Sequence, residues 1–157
     1  MSIHDRIRRF SGLINVYKRR EDALARRMRD AEALAQRERA QLTNIEEIKS
    51  DYEKGLLDAG RAGTTAQRMK NWQRFVRNLD AVHAEQIERT RRASGARDER
   101  RDAWLTEYRR VKGFETLAGQ LTEQRDATQR REELKMLDEI GGRRSLAGKA
   151  GEDGSGK

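Results

Sequence analysis

The feature that most constrains this chain is an apolar stripe whose members follow one another at steps of three and four residues through residues 3–56. Such spacing places the apolar side chains along one narrow face of an α-helix that packs against a second helix. Ser2 and Asp5 have the spacing of a helix-capping pair, so we expect the helix to span 3–56. Glu21 and Glu38 interrupt the stripe. Its members are Ile7, Phe10, Ile14, Tyr17, Leu24, Met28, Ala31, Ala35, Leu42, Ile45, Ile48 and Tyr52.

A second stripe begins after three glycines, Gly55, Gly60 and Gly63, which are costly inside a helix and favourable in a turn. Thr64 and Gln67 have the spacing of a second capping pair. We therefore expect a turn over 57–64 and a second helix over 65–140. This stripe comprises Trp72, Phe75, Leu79, Val82, Trp104, Tyr108, Val111, Phe114, Leu117 and Leu121, and it resumes weakly at Leu134, Leu137 and Ile140.

Two parts of the second half have few large apolar residues. Between 88 and 102 the stripe retains only Ala93 and Ala96, so we expect this part of the seam to open more readily than its neighbours. Gly141 and Gly142 are expected to end the helix. The Gly-rich residues 142–157 are expected to form a flexible, disordered tail.

The two stripes match when the chain is folded back on itself, with Tyr52 opposite Trp72 and Leu42 near Val82. The chain contains no proline, and 39% of its residues are charged against 34% hydrophobic, a balance that disfavours a thick globular core. We therefore predict an all-α fold, a long antiparallel two-helix coiled-coil hairpin over 1–141. We expect it to be an elongated monomer without a transmembrane segment, because no long apolar run occurs.

The residues that enzymes use are sparse or scattered in this sequence. Cysteine is absent and the two histidines, His4 and His83, are isolated from other metal-ligating residues. A two-helix hairpin also encloses no pocket in which a substrate could be held. We therefore expect no enzymatic activity, no cofactor and no metal.

The net charge of +8 leaves two alternatives from other classes open. A basic helical protein can bind nucleic acid, with an affinity that falls steeply with salt, although acidic residues are interleaved almost everywhere and favour a solvated helix surface. The chain could also be a self-associating coiled-coil scaffold, which would sediment as a dimer or larger.

Between Gln41 and Arg144 the chain has the segments N-W-Q-R-F at 71–75 and K-M-L-D-E-I at 135–140, together with several spaced single residues. These motifs resemble those of the FliJ family of flagellar type III export proteins. They occur in one colinear order without a gap. The stalk proteins of virulence injectisomes, the YscO group, share the architecture with weaker motifs and stay open as an alternative. The residues that support the resemblance are Gly63-Thr64, the segment N-W-Q-R-F at 71–75, Leu79, Trp104, Leu117 and the segment K-M-L-D-E-I at 135–140.

The resemblance implies a cytoplasmic stalk, peripheral at the inner-membrane export apparatus and similar to the central stalk of rotary ATPases. Such a protein binds the hexameric export ATPase FliI and the export-gate protein FlhA, and it escorts export chaperones; no binding of nucleic acid is implied. The family's gate-contact positions correspond here to Gln41, Ile45, Ile48, Tyr52, Phe75, Leu79, Val82 and Gln86. The residues that we expect to contact the ATPase ring are Arg6, Arg8, Arg9, Arg131, Lys135, Asp138 and Glu139.

Overall fold

Two long helices make up almost all of the structure, a computed structural model that describes the backbone of residues 1–152 and the side chains of residues 1–149. Helix α1 spans Ile3–Ala62 and helix α2 spans Ala66–Glu152. The connection between them is three residues long, and no strand occurs in the part of the chain that is described. The predicted all-α, two-helix fold is confirmed.

The turn is shorter than expected because two of the three glycines before it are helical. Only Gly63 has a positive φ, of 77°, a conformation that glycine adopts without steric cost. Gly55 has a different role within α1. A Cβ atom at this position would lie 2.9 Å from Cη2 of Trp72, so the missing side chain makes room for the indole. Helix α1 therefore ends at Ala62 rather than at residue 56.

Both helices begin with a hydrogen-bonded cap. In α1, as predicted, the backbone N–H of Asp5 donates to Oγ of Ser2 (3.2 Å), and Ser2 donates its hydroxyl to Oδ2 of Asp5 (2.7 Å). These bonds from Ser2 hold the pKa of Asp5 below its usual value. In α2 the cap is Thr65, whose Oγ1 accepts from the N–H of Arg68 at 3.3 Å, so the capping residue lies one position after the predicted Thr64.

Helix α2 does not end at Gly141 and Gly142 as expected. Both glycines are helical, and the helix continues to Glu152. Glycine lowers helix stability by about 1 kcal/mol relative to alanine but does not terminate a helix as proline does. Residues 142–152 of the predicted tail are therefore helical, whereas the prediction for 153–157 lies outside the described residues.

The chain divides into two compact units. Unit 1 consists of Met1–Lys18 and Arg109–Lys157, and unit 2 consists of Arg19–Tyr108. In unit 2 the indole of Trp104 donates to Glu21 (2.8 Å), and the amide of Gln86 donates to the backbone carbonyl of Glu38 (3.0 Å). Near the turn, the rings of Tyr52 and Trp72 are 5.5 Å apart, as predicted. Residue numbers rise along α1 as they fall along α2, so the pairing is antiparallel.

Unit 1 contains an aromatic cluster between the first residues of α1 and the second half of α2. The Phe114 ring lies 5.1 Å from the Tyr17 ring and 6.2 Å from the Phe10 ring. The guanidinium of Arg110 lies over the Tyr17 ring at 5.3 Å, a cation–π contact. Val111 is buried beside this cluster. Apolar and aromatic packing therefore holds unit 1 together.

The seam between the helices follows a seven-residue repeat, which we letter a to g, with a and d facing the partner helix. In α1 the a positions are every seventh residue from Ile7 to Leu56, and the d positions run likewise from Ile3 to Ala59. In α2 they run from Met69 to Arg125 (a) and from Trp72 to Thr128 (d). All of these residues are buried or half-buried except Tyr52, Arg100 and Thr128.

This phase corrects part of the predicted stripe. Lys49, Val76 and His83 occupy the seam, although two of them are polar. Ile48, Phe75 and Val82 lie one residue earlier, at g positions, and are exposed. The seven-residue repeat, and not the polarity of each side chain, decides which residues face the partner helix here. Two packed helices keep one contact line along their length.

Candidate functional site

The g positions of the two helices lie along the same side of the unit 2 seam, because reversing one helix brings like letters together. We call this side the g flank; it consists of residues 20, 27, 34, 41, 48 and 55 of α1 and 68, 75, 82, 89, 96 and 103 of α2. Positions e define the opposite side, the e flank, with residues 25, 32, 39, 46 and 53 of α1 and 73, 80, 87, 94, 101 and 108 of α2.

Near the turn, the g flank forms an exposed, largely apolar surface. The Phe75 ring packs against the Tyr52 ring at 4.4 Å, yet more than a third of each residue remains accessible. Exposed apolar side chains that lie next to one another are typical of protein-binding surfaces. We call this surface the turn patch, and it consists of Gln41, Ile48, Tyr52, Phe75 and Val82.

The remaining three gate-contact positions are less accessible than the turn patch. Ile45 and Gln86 are buried in the seam, and Leu79 is half-buried. Gln86 is fixed there, since its amide donates to both the carbonyl and the carboxylate of Glu38. The hydroxyl of Thr90 lies 3.2 Å from the same carbonyl and 2.8 Å from the backbone carbonyl of Gln86. The structure therefore brings five of the eight positions together on one exposed surface and assigns Ile45 and Gln86 to helix packing.

The e flank next to the same region carries several ion pairs. Lys49 forms a salt bridge of 2.9 Å with Asp80 and lies 3.9 Å from Glu53, and His83 lies 3.4 Å from Glu46. The hydrogen bond with Asp80 raises the pKa of the Lys49 amine. Ion pairs of this kind are open to solvent. The e flank is therefore more polar in this region than the turn patch, which lies on the opposite side of the seam.

A second exposed apolar surface lies in unit 1, on the part of α2 that follows the seam. After Thr128 the a and d positions are occupied by Glu132, Lys135, Glu139 and Gly142, so the hairpin seam ends there. Residues 128–149 are exposed throughout; we call this segment the C-terminal arm. Its apolar residues are 48% to 71% exposed: Leu134, Met136, Leu137, Ile140 and Leu146.

The apolar residues of the C-terminal arm spread around the helix instead of following one line. At about 100° per residue, Leu134, Met136, Leu137 and Ile140 lie within an arc of about 160°. Leu146 lies outside this arc and widens it to about 240°, two-thirds of the circumference. A partner that packs from one side could cover only part of this arc. The arm is therefore suited to a partner that surrounds it.

The residues expected to contact an ATPase ring all lie on the surface. Arg6, Arg8 and Arg9 are exposed on the first turns of α1. The other four lie on the C-terminal arm, where they alternate with its apolar residues: Arg131, Lys135, Asp138 and Glu139. All seven belong to unit 1, so the structure brings the two predicted groups into the same unit.

Neither a metal site nor a membrane-spanning helix is found among the described residues. No group of three histidine, aspartate or glutamate side chains within them could hold a metal ion. Neither helix has, within its described part, an apolar segment of the length that a bilayer crossing requires.

Two groups of candidate surface residues escaped the sequence analysis. Leu34, Arg89 and Arg92 line a groove that no motif indicated, and Met136 and Leu146 are exposed on the C-terminal arm. The signal that could have found them is the strict repeat itself. Extending it through polar residues excludes Phe75 and Val82 from the seam and shows that the seam ends near residue 128.

Comparison with known proteins identifies the family of the chain. The family model described as "Flagellar FliJ protein" matches residues 6–149, nearly the whole chain. No curated protein and no solved structure shows significant similarity to it. The match covers both helices and both exposed apolar surfaces. The chain therefore belongs to the FliJ family and is a flagellar export-related protein.

Proposed function

We propose that this protein is a non-enzymatic stalk of the flagellar export apparatus, acting in the cytoplasm at the inner membrane. In this proposal the C-terminal arm binds the hexameric export ATPase, a FliI-like protein, and the turn patch binds the export gate, an FlhA-like membrane protein. The stalk promotes assembly of the ATPase and couples it to the gate. It also escorts export chaperones.

One observation carries the proposal: the two exposed apolar surfaces belong to different units and share no residue. A protein with two independent surfaces of this kind can hold two partners at once, which coupling requires. The seam of each unit is already filled by the partner helix, so neither surface is needed to complete the fold.

The chemistry of the C-terminal arm supports a ring as its partner. Its apolar arc, with Leu146 included, spans about two-thirds of the helix circumference, so a partner that packs from one side would leave part of the arc exposed. Charged residues of both signs, such as Arg131 and Asp138, lie between the apolar ones. They can form polar contacts with the loops of a surrounding ring.

The ATPase contact is tested by the ATP hydrolysis rate of the purified FliI-like protein with and without this chain. Leu134→Asp is expected to abolish the stimulation, since a carboxylate replaces an apolar contact in the arc. Leu57→Asp is the matched control, because Leu57 and Leu134 are both 61% exposed and Leu57 belongs to neither surface. Absence of stimulation by the unchanged protein would refute the ATPase contact.

The gate contact is tested by binding of the cytoplasmic domain of the FlhA-like protein. Val82→Asp is expected to weaken that binding about tenfold or more, as loss of a central apolar contact does. Ile87→Asp is the matched control, because Ile87 lies on the e flank and is 46% exposed, close to the 47% of Val82. Equal losses from both substitutions would contradict a contact through the turn patch.

A further inference from the structure

The middle of unit 2 contains a groove on the g flank that neither proposed contact uses. It has a volume of about 310 Å³ and lies between the two helices, away from the turn. Leu34 provides its large apolar side chain and Ala93 and Ala96 its small ones, while Arg89, Arg92 and Glu38 complete the lining.

Small side chains in the seam produce this groove. Ala35 and Ala93 are buried where the helices meet, and such residues let two helix backbones approach closely but fill little space beside the contact. Ala96, at the g position facing this space, is too short to cover Leu34. Leu34 is consequently 43% exposed, and no other large apolar residue of α1 between Tyr17 and Ile48 is exposed to this degree.

A polar layer of the seam, formed by Glu38, Gln86 and Thr90, lies next to the groove. Gln86 is buried and donates to the carbonyl and carboxylate of Glu38, and the Thr90 hydroxyl lies within hydrogen-bonding distance of the same carbonyl. One oxygen of the Glu38 carboxylate therefore already accepts a hydrogen bond within the seam.

Arginines surround the apolar part of the groove. Arg89 and Arg92 form salt bridges with Glu85 and Glu88 along α2, but both guanidinium side chains are more than half exposed, and pairs of this kind are weak and exchangeable. Arg37, which follows Leu34 by less than one turn, forms no ion pair with the described residues. Guanidinium groups beside an exposed leucine favour a partner that combines carboxylates with apolar side chains.

From this chemistry we infer that the groove binds an acidic amphipathic helix of a partner protein. The apolar stripe of that helix covers Leu34 and packs against Ala96, and its flanking carboxylates pair with Arg89 and Arg92. The bound helix packs on the g flank as a third helix beside α1 and α2. Neither of the two contacts in the proposed function uses this site. Nucleic acid fits the groove less well, since a phosphate backbone offers no apolar stripe to cover Leu34.

The inference is tested with two synthetic 21-residue helical peptides and the full-length protein. Both peptides have leucine at a and d, and the flanking positions are all glutamate in one peptide and all lysine in the other. Fluorescence anisotropy is expected to show binding of the glutamate peptide alone. Leu34→Asp should weaken it about tenfold or more. Leu13→Asp is the control, because Leu13 is also a g-position leucine and is 42% exposed.

A charge reversal separates loss of binding from loss of folding. The double substitution R89E/R92E should abolish binding of the glutamate peptide and create binding of the lysine peptide, which an unfolded variant could not do. Failure of the unchanged protein to bind the glutamate peptide, or equal losses from Leu34→Asp and Leu13→Asp, would overturn the inference.

Two further outcomes assign the groove to a different occupant. If the protein sediments as a dimer and Leu34→Asp makes it a monomer, the groove binds a second copy of this chain and the inference is wrong. If a 30-nucleotide single strand binds, and R89E/R92E removes that binding while Leu34→Asp does not, the arginines serve nucleic acid and the inference is equally wrong.

Discussion

The two units use the same repeat to hold the same two helices, but with different side chains. In unit 1 the seam contains a cluster of rings around Phe114, with Val111 and Leu121 buried. In the middle of unit 2 the buried residues are Ala35, Ala93 and Gln86. Large apolar side chains stabilise a helix pair through the area that they bury.

Small and polar side chains contribute less to stability but do two other things. The bond from the Gln86 amide to the Glu38 carboxylate favours one alignment of the helices, because the residues one repeat away on α1, Ala31 and Ile45, have no side-chain acceptor. The alanines leave a groove beside the seam that a partner can enter. The layers with large apolar side chains therefore contribute most of the stability, whereas the layers with small and polar side chains leave the surface on which the inferred partner would bind.

The largest effect is expected from Phe114→Ala in unit 1. The substitution leaves a cavity between the Phe10 and Tyr17 rings and should lower the free energy of unfolding by about 3 kcal/mol. Urea denaturation monitored by circular dichroism measures it. Phe75→Ala in unit 2 is the control, and it should cost less than about 1 kcal/mol because Phe75 is 42% exposed. Similar losses for both would remove the distinction between seam and flank.

Gln86→Ala should have the next largest effect, about 1–2 kcal/mol, because it leaves the partly buried Glu38 carboxylate without its donor. The double substitution E38L/Q86L should recover that loss or exceed wild-type stability, since apolar residues replace both polar partners. Denaturant midpoints of the three variants decide the matter. Additive losses in the double variant would show that the layer stabilises the fold instead of specifying the alignment.

Gly55→Ala should destabilise the protein by about 1 kcal/mol even though alanine favours helix. The new methyl group would lie 2.9 Å from the Trp72 ring, which must move. Gly141→Ala is the matched control in unit 1, where nothing lies within 4 Å of the added atom. It should raise stability by a few tenths of a kcal/mol up to about 1. Thermal unfolding of both variants compares them, and two changes of the same sign would contradict the role of Trp72.

The smallest effect concerns pH. The pKa of Asp5 is lowered in the folded state, so its cap stabilises the protein above the unfolded pKa of 3.8 and loses that contribution as the pH falls through the folded value. The pKa of Lys49 is raised, so its contribution is present below pH 10.5 and is lost as the pH rises through the folded value. Asp5→Asn should remove only the acid dependence and Lys49→Met only the alkaline one, as measured by urea midpoints against pH.

Most of the fold could be predicted from the sequence, because apolar spacing reports helix contact directly. The Tyr52 and Trp72 pairing followed from matching the two stripes. The phase near Ile48 could not be predicted by apolarity alone, since Lys49 lies in the seam with its amine at the edge. The helical state of Gly55 could not be predicted either, because its cause is a residue of the other helix.

The candidate site was only partly predictable. Motif resemblance located the turn patch, but Gln86 looked like a surface contact until its hydrogen bonds to Glu38 placed it in the seam. The softness expected between 88 and 102 stays a prediction. Hydrogen exchange tests it, with faster exchange expected there than at 108–121.

The bond between Gln86 and Glu38 has a mechanical consequence. Sliding one helix along the other by a whole repeat, about 10 Å, would bring Ala31 or Ile45 opposite Gln86. Neither residue has a side chain that can accept a hydrogen bond from the Gln86 amide. Both slipped alignments therefore lose the hydrogen bond between Gln86 and a carboxylate, which the native alignment makes. A force along one helix of unit 2 would therefore be transmitted to the other helix with less slippage, as the proposed coupling of two partners requires.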